Sequence, residues 1–118
     1  MKKTFLSAAL GMICLLSASR LAFAHALLVA SAPAVNGTVR GPGVDMDLKF
    51  NSRVDGTRSR LMLVLSDGSS RLLPLLKQPA PEELAAHADL KPGAYTLRWQ
   101  AVAADGHISR GEVPFKVQ

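Results

Sequence analysis

From Val44 to Phe50 the chain alternates strictly: Val44, Met46, Leu48 and Phe50 are apolar, and Asp45, Asp47 and Lys49 stand between them. A period of two belongs to a strand with one face in a core and the other in water. Leu61, Leu63 and Leu65 repeat the pattern, and Ser66-Asp67-Gly68 closes it with turn residues. A third strand is predicted from Arg71 to Leu76, where Pro74 implies a sheet edge or a bulge. Leu84, Ala86 and Ala88 then lie opposite Glu83, His87 and Asp89. The alanine content leaves a helix open over residues 82 to 88, although Lys91-Pro92-Gly93 would stop it early. Tyr95, Leu97, Trp99 and Ala101 against Thr96, Arg98 and Gln100 form the clearest strand, and Val113, Phe115 and Val117 the last.

With an N-terminal strand near Leu27 to Ser31, the count is about seven short strands separated by frequent turns. That number predicts an all-β domain, an immunoglobulin-like Greek-key β-sandwich or barrel. Tyr95 and Trp99 share the apolar face of their strand and are expected in its core. Fold alone assigns no function.

The first residues follow a different rule. Lys2 and Lys3 precede an apolar run from Phe5 to Leu16, and Ala22-Phe23-Ala24 has the small-x-small pattern of a signal-peptidase site. Residues 1–24 therefore read as a secretory leader, and the run is shorter than the ~20 residues that span a bilayer. The mature domain is expected to be 25–118, beginning at His25, in the periplasm and without membrane insertion. Its length suits one small domain with a single core.

Removing the leader changes the charge. The whole chain carries 14 basic and 9 acidic residues. Without Lys2, Lys3 and Arg20, 11 basic residues remain against 9 acidic ones, a net of +2. No basic cluster interleaved with aromatics survives, which argues against nucleic-acid binding. The one cysteine, Cys14, lies in the leader, and Gly11-Met12-Ile13 before it is unlike a lipoprotein box. The mature domain thus has neither a disulfide nor thiolate chemistry. Phosphate loops, nucleophile elbows and Cys-x-x-Cys motifs are also missing from the sequence.

The remaining chemistry is histidine chemistry. Cleavage after Ala24 would give His25 two donors, its α-amino nitrogen and its imidazole, able to chelate one ion. Asp105-Gly106-His107 places a carboxylate and an imidazole two residues apart, on one side of extended backbone, with Gly106 easing a local bend. The sum is three nitrogens and one oxygen, a set that suits tetragonal Cu(II) better than structural zinc. Plain alternatives stand beside this reading: a frayed terminus at His25, and a solvated hairpin loop at Asp105-Gly106-His107. His87 falls on a polar strand face and reads as an ordinary surface histidine.

Three stretches, "HALLVASAPAVNG", "DLKPGAYTLRWQAVAADGH" and "GEVPFKV", resemble the CopC family of periplasmic copper-resistance proteins across nearly all of the mature chain. The combination of Pro-Gly-x-Tyr-x-x-x-Trp with a following Asp-Gly-His is specific. The resemblance implies a small Greek-key β-barrel that binds one Cu(II) per chain at an N-terminal histidine brace. Its ligands would be His25, Asp105 and His107. It also implies copper resistance or homeostasis as the role, and a CopD-type inner-membrane copper transporter as a partner.

Some family members add a methionine-rich loop for Cu(I). Here Met46 is in phase with core positions and Met62 is out of phase with Leu61 and Leu63, so the two face different environments and no cluster forms. The expectation is a monomeric, Cu(II)-only binding protein that is not an enzyme. A brace-type copper redox enzyme and a metal-free interaction module are the other readings. The small domain leaves the former little room for a substrate surface.

Overall fold

The computed structural model describes residues 25–118, and the leader assigned to 1–24 lies outside the described residues. Eight strands follow in order: β1 (Leu28–Ala32), β2 (Gly37–Val39), β3 (Gly43–Phe50), β4 (Arg60–Val64), β5 (Ser70–Leu73), β6 (Glu83–Asp89), β7 (Gly93–Val102) and β8 (Ile108–Val117). They form a three-stranded sheet, β1-β3-β6, and a five-stranded sheet, β2-β8-β7-β4-β5. The chain crosses between sheets from β1 to β2, back from β2 to β3, over again from β3 to β4, back from β5 to β6, and once more from β6 to β7. This is an immunoglobulin-like β-sandwich. Among the described residues there is no helix long and apolar enough to cross a membrane.

The alternation sets the faces as predicted. In β3, Val44, Met46, Leu48 and Phe50 are buried while Asp45, Asp47 and Lys49 turn outward. Leu61, Leu63, Leu97, Ala101 and Val113 meet them from the other sheet, each with no exposed surface. Met62 is half-buried on the opposite face of β4 from Leu61 and Leu63. The segment 82 to 88, open to either reading, is strand from Glu83 on, with Glu82 in the preceding turn: β6 pairs antiparallel with β3 from Gly43↔Asp89 to Lys49↔Glu83. β5 is the sheet edge and stops one residue before Pro74, as a missing N–H requires.

The eighth strand, β2, was not predicted. It is three residues long and lies parallel to β8, from Gly37↔Phe115 to Val39↔Val117. Its short half-buried pattern carries too few positions to display a period.

Trp99 is buried and meets Phe50 edge to face, with centroids 5.1 Å apart and planes at 71°. Its indole lies over Gly111, the cross-strand partner on β8. The indole N–H has no acceptor among the described residues. Tyr95 is half-buried, stacks on Phe115, and donates its hydroxyl to the Lys91 carbonyl at 2.7 Å.

His87 is exposed but not isolated. Its Nδ1 lies 2.7 Å from Asp45 Oδ1 across the β3–β6 ladder, and its Nε2 lies 3.5 Å from Asp89 Oδ1. The hydrogen bond to Asp45 is the main cause of a pKa above the ordinary histidine value, with desolvation opposing it and Asp89 adding to it.

Two outcomes follow for stability. A side chain at Gly111 would drive into the indole of Trp99. Gly111→Val is therefore expected to cost about 1–3 kcal/mol in urea unfolding, and an unchanged midpoint would mean the indole has room to move. For His87, a raised folded pKa means the contribution is complete below the unfolded value of about 6.5 and disappears as pH rises through the folded value. His87→Gln should lower the melting temperature more at about pH 5.5 than at about pH 9. Equal losses at both would mean the charge on His87 contributes nothing.

Candidate metal centre

Two distant parts of the chain meet at one end of the sandwich. The first is the segment that enters β1. Ala26 is 1% exposed and belongs to the core, so the chain is anchored one residue after His25. An exposed histidine at that place is held near the barrel rather than free in solvent.

The second is the β7–β8 hairpin. Its two ten-residue strands pair from Gly93↔Val117 to Val102↔Ile108, which fixes where the connection 103–107 emerges. Ala103 N–H donates to the His107 carbonyl at 2.8 Å, and Gly106 N–H to the Ala103 carbonyl at 2.9 Å. Gly106 has φ +91, a conformation costly for any residue with a Cβ.

The base of the hairpin is pinned from the side. Val54 bridges Ala103, Asp55 N–H donates to the Val102 carbonyl at 2.7 Å, and the buried Ser59 hydroxyl accepts the Val102 N–H at 3.0 Å. Asp55 in turn accepts from the Thr57 hydroxyl and the Arg58 side chain, and these bonds hold its carboxyl well below the usual range.

The imidazoles of His25 and His107 face each other with centroids 5.5 Å apart and planes at 75°. A metal–nitrogen bond of about 2 Å puts an ion roughly 3 Å from a ring centroid, so two rings sharing one ion stand up to about 6 Å apart. The observed spacing lies within that reach.

Asp105 differs from the expectation. The local backbone is a turn, not an extended segment, and its carboxylate folds back on His107. Oδ1 accepts the His107 backbone N–H at 3.1 Å, and Oδ2 lies 2.8 Å from His107 Nδ1. The backbone N–H, then the imidazole, hold the Asp105 carboxyl below the usual carboxylate range. A carboxylate on Nδ1 fixes that nitrogen as the protonated one and leaves Nε2 as the free donor.

Among the described residues no three His, Cys, Asp or Glu side chains converge as a metal-holding group. Two imidazoles face each other, and the third candidate is turned toward His107. His87 stands apart from them with Asp45 and Asp89. What sequence reading missed was this partnership, because Asp45 is 42 residues from His87 and only the β3–β6 register joins them.

Comparison with known proteins places the chain. The family model of the CopC domain matches residues 28–118. Copper resistance protein C of Xanthomonas campestris pv. juglandis is 30% identical over 110 residues, covering 86% of each chain. Protein YobA of Escherichia coli K12 is 31% identical over 100 residues, covering 81% of each.

Among solved structures, CopC from Methylosinus trichosporium OB3b superposes with a TM-score of 0.71 at 28% identity, covering 80% of this chain and 94% of that one. PcoC, a methionine-rich copper resistance protein from Escherichia coli, gives 0.68 at 24% identity over 80% of this chain and all of PcoC, a likeness of fold. With a family model matched over most of its length and relatives at this identity, the chain belongs to the CopC family.

Proposed function

We propose that the mature domain is a periplasmic Cu(II)-binding protein that sequesters or carries copper and contributes to copper resistance or homeostasis. One Cu(II) is held by a histidine brace: the amine and imidazole of His25 and the imidazole of His107, with Asp105 as the fourth donor. The observation that carries the reading is the facing pair of imidazoles, His25 and His107, brought within reach of one ion from opposite ends of the mature sequence. The names of its relatives, copper resistance protein C above all, agree with copper as the cargo.

The amine exists only after the Ala24–His25 bond is cut, so export and the creation of the site are one event. The ion is bound and released without turnover. The protein acts as a monomer, and a CopD-type inner-membrane transporter is the partner the family resemblance points to. Metal ligands must be unprotonated to bind, so copper competes with protons and affinity is expected to fall as pH drops.

The first test is a Cu(II) titration of the chain beginning at His25, read by electron paramagnetic resonance. One tight equivalent with a tetragonal, nitrogen-rich spectrum is expected. A glycine added before His25 keeps every side chain but removes the terminal amine, and should weaken binding sharply. Equal affinity in that variant would sink the brace. His107→Ala should lose affinity while the apo domain keeps its β-sheet circular dichroism.

Asp105→Asn separates two roles for the carboxylate. It keeps an oxygen acceptor for His107 but lacks the anionic charge. A lower affinity with an altered copper spectrum is expected of a ligand. Native affinity with an unaltered spectrum would reduce Asp105 to orienting His107.

A further inference from the structure

β1 and β3 are not regularly paired at the end where the candidate centre lies. Their register runs Ala32↔Asp47, Ser31↔Leu48 and Ala30↔Lys49, then shifts before Leu28↔Phe50. A bulge of this kind loosens the ladder where His25 needs a fixed base.

Asn51, the residue after β3, restores the grip. Its backbone N–H donates to the Leu27 carbonyl at 2.9 Å. Its side-chain Oδ1 accepts the Leu27 N–H at 2.8 Å. Both backbone groups of Leu27 are therefore taken by one residue. In a regular antiparallel pair the second bond would go to the partner's backbone carbonyl. Here the side-chain amide stands in for it, so the main chain can turn away toward Ser52 and Arg53 while still holding Leu27. Asn51 is itself fixed, because Phe50 beside it is 1% exposed in the core.

We infer that Asn51 is a positioning residue: its two-way clamp on Leu27 sets the direction of the two residues before it and so holds His25 opposite His107. Ala26 anchors the same segment by burial, but apolar burial fixes depth better than orientation. The hydrogen-bonded pair supplies the orientation. Asn51 touches neither ring in this role and donates nothing to an ion. It acts by reducing the freedom of a chain terminus that would otherwise fray.

The experiment uses the chain beginning at His25, as native protein and as Asn51→Ala and Asn51→Asp. The first readout is metal-free: nuclear Overhauser contacts between the His25 and His107 imidazole protons. The second is Cu(II) affinity with the resonance spectrum of the bound ion. Asn51→Ala should lose the ring contacts and about tenfold or more in affinity, in the range seen when groups that orient metal ligands are removed. Its β-sheet amide spectrum should be retained. Asn51→Asp keeps an oxygen acceptor for the Leu27 N–H and should keep the ring contacts.

Native ring contacts and native affinity in Asn51→Ala would overturn the inference. Global unfolding of that variant would also overturn it, in favour of a plain structural role, as would loss of the ring contacts in Asn51→Asp. The affinity arm rests on the copper reading, whereas the ring contacts do not. A native protein that fails to bind Cu(II) would defeat the proposed function, and the metal-free measurement would still decide the role of Asn51.

Discussion

The two sheets of this domain pack on one apolar core, in which Phe50 of β3 meets Trp99 of β7 edge to face. Immunoglobulin-type sandwiches often tie their sheets with a disulfide beside a tryptophan. The described residues here contain no cysteine, so area and shape have to do the same work. Aromatic pairs of this geometry add about 0.5–1.5 kcal/mol beyond the surface they bury. The contact also fixes the candidate centre. Phe50 ends β3 and leads into Asn51, while Trp99 lies on the strand that carries the 103–107 hairpin. The distance between His25 and His107 is therefore inherited from the packing of the core.

What the sequence displayed followed from half-burial. A strand between core and water must alternate, and β3, β4, β7 and β8 were readable for that reason, including which side chains face inward. β2 was not readable, because its identity as a strand comes from β8, more than 70 residues later. The helix left open at residues 82 to 88 is excluded by the seven-residue register with β3, a long-range fact that local composition does not encode.

The candidate centre divides in the same way. His25 and His107 were singled out by chemistry, a histidine at an expected cleavage site and another in an Asp-Gly-His turn. Their proximity depends on the fold. Extended geometry predicted Asp105 and His107 on one side of the backbone, both able to face one ion. The turn instead directs the carboxylate onto its neighbour, because a free backbone N–H and an imidazole nitrogen lie within its reach. Asn51 had no signal of its own. A polar residue just after a buried aromatic at a strand end is common, and only the position of Leu27 gives it a partner.

Trp99 is the sole tryptophan of the chain, and it sits where the two sheets meet. Its emission is therefore an optical gauge of their separation that needs no label. A buried indole whose N–H finds no acceptor emits to the blue, and water reaching the seam would move it to the red. Because the ring lies over a glycine on the neighbouring strand, the gauge is sensitive to the β7–β8 hairpin as well as to the core. Disturbance on either side of the sandwich would be visible in one spectrum.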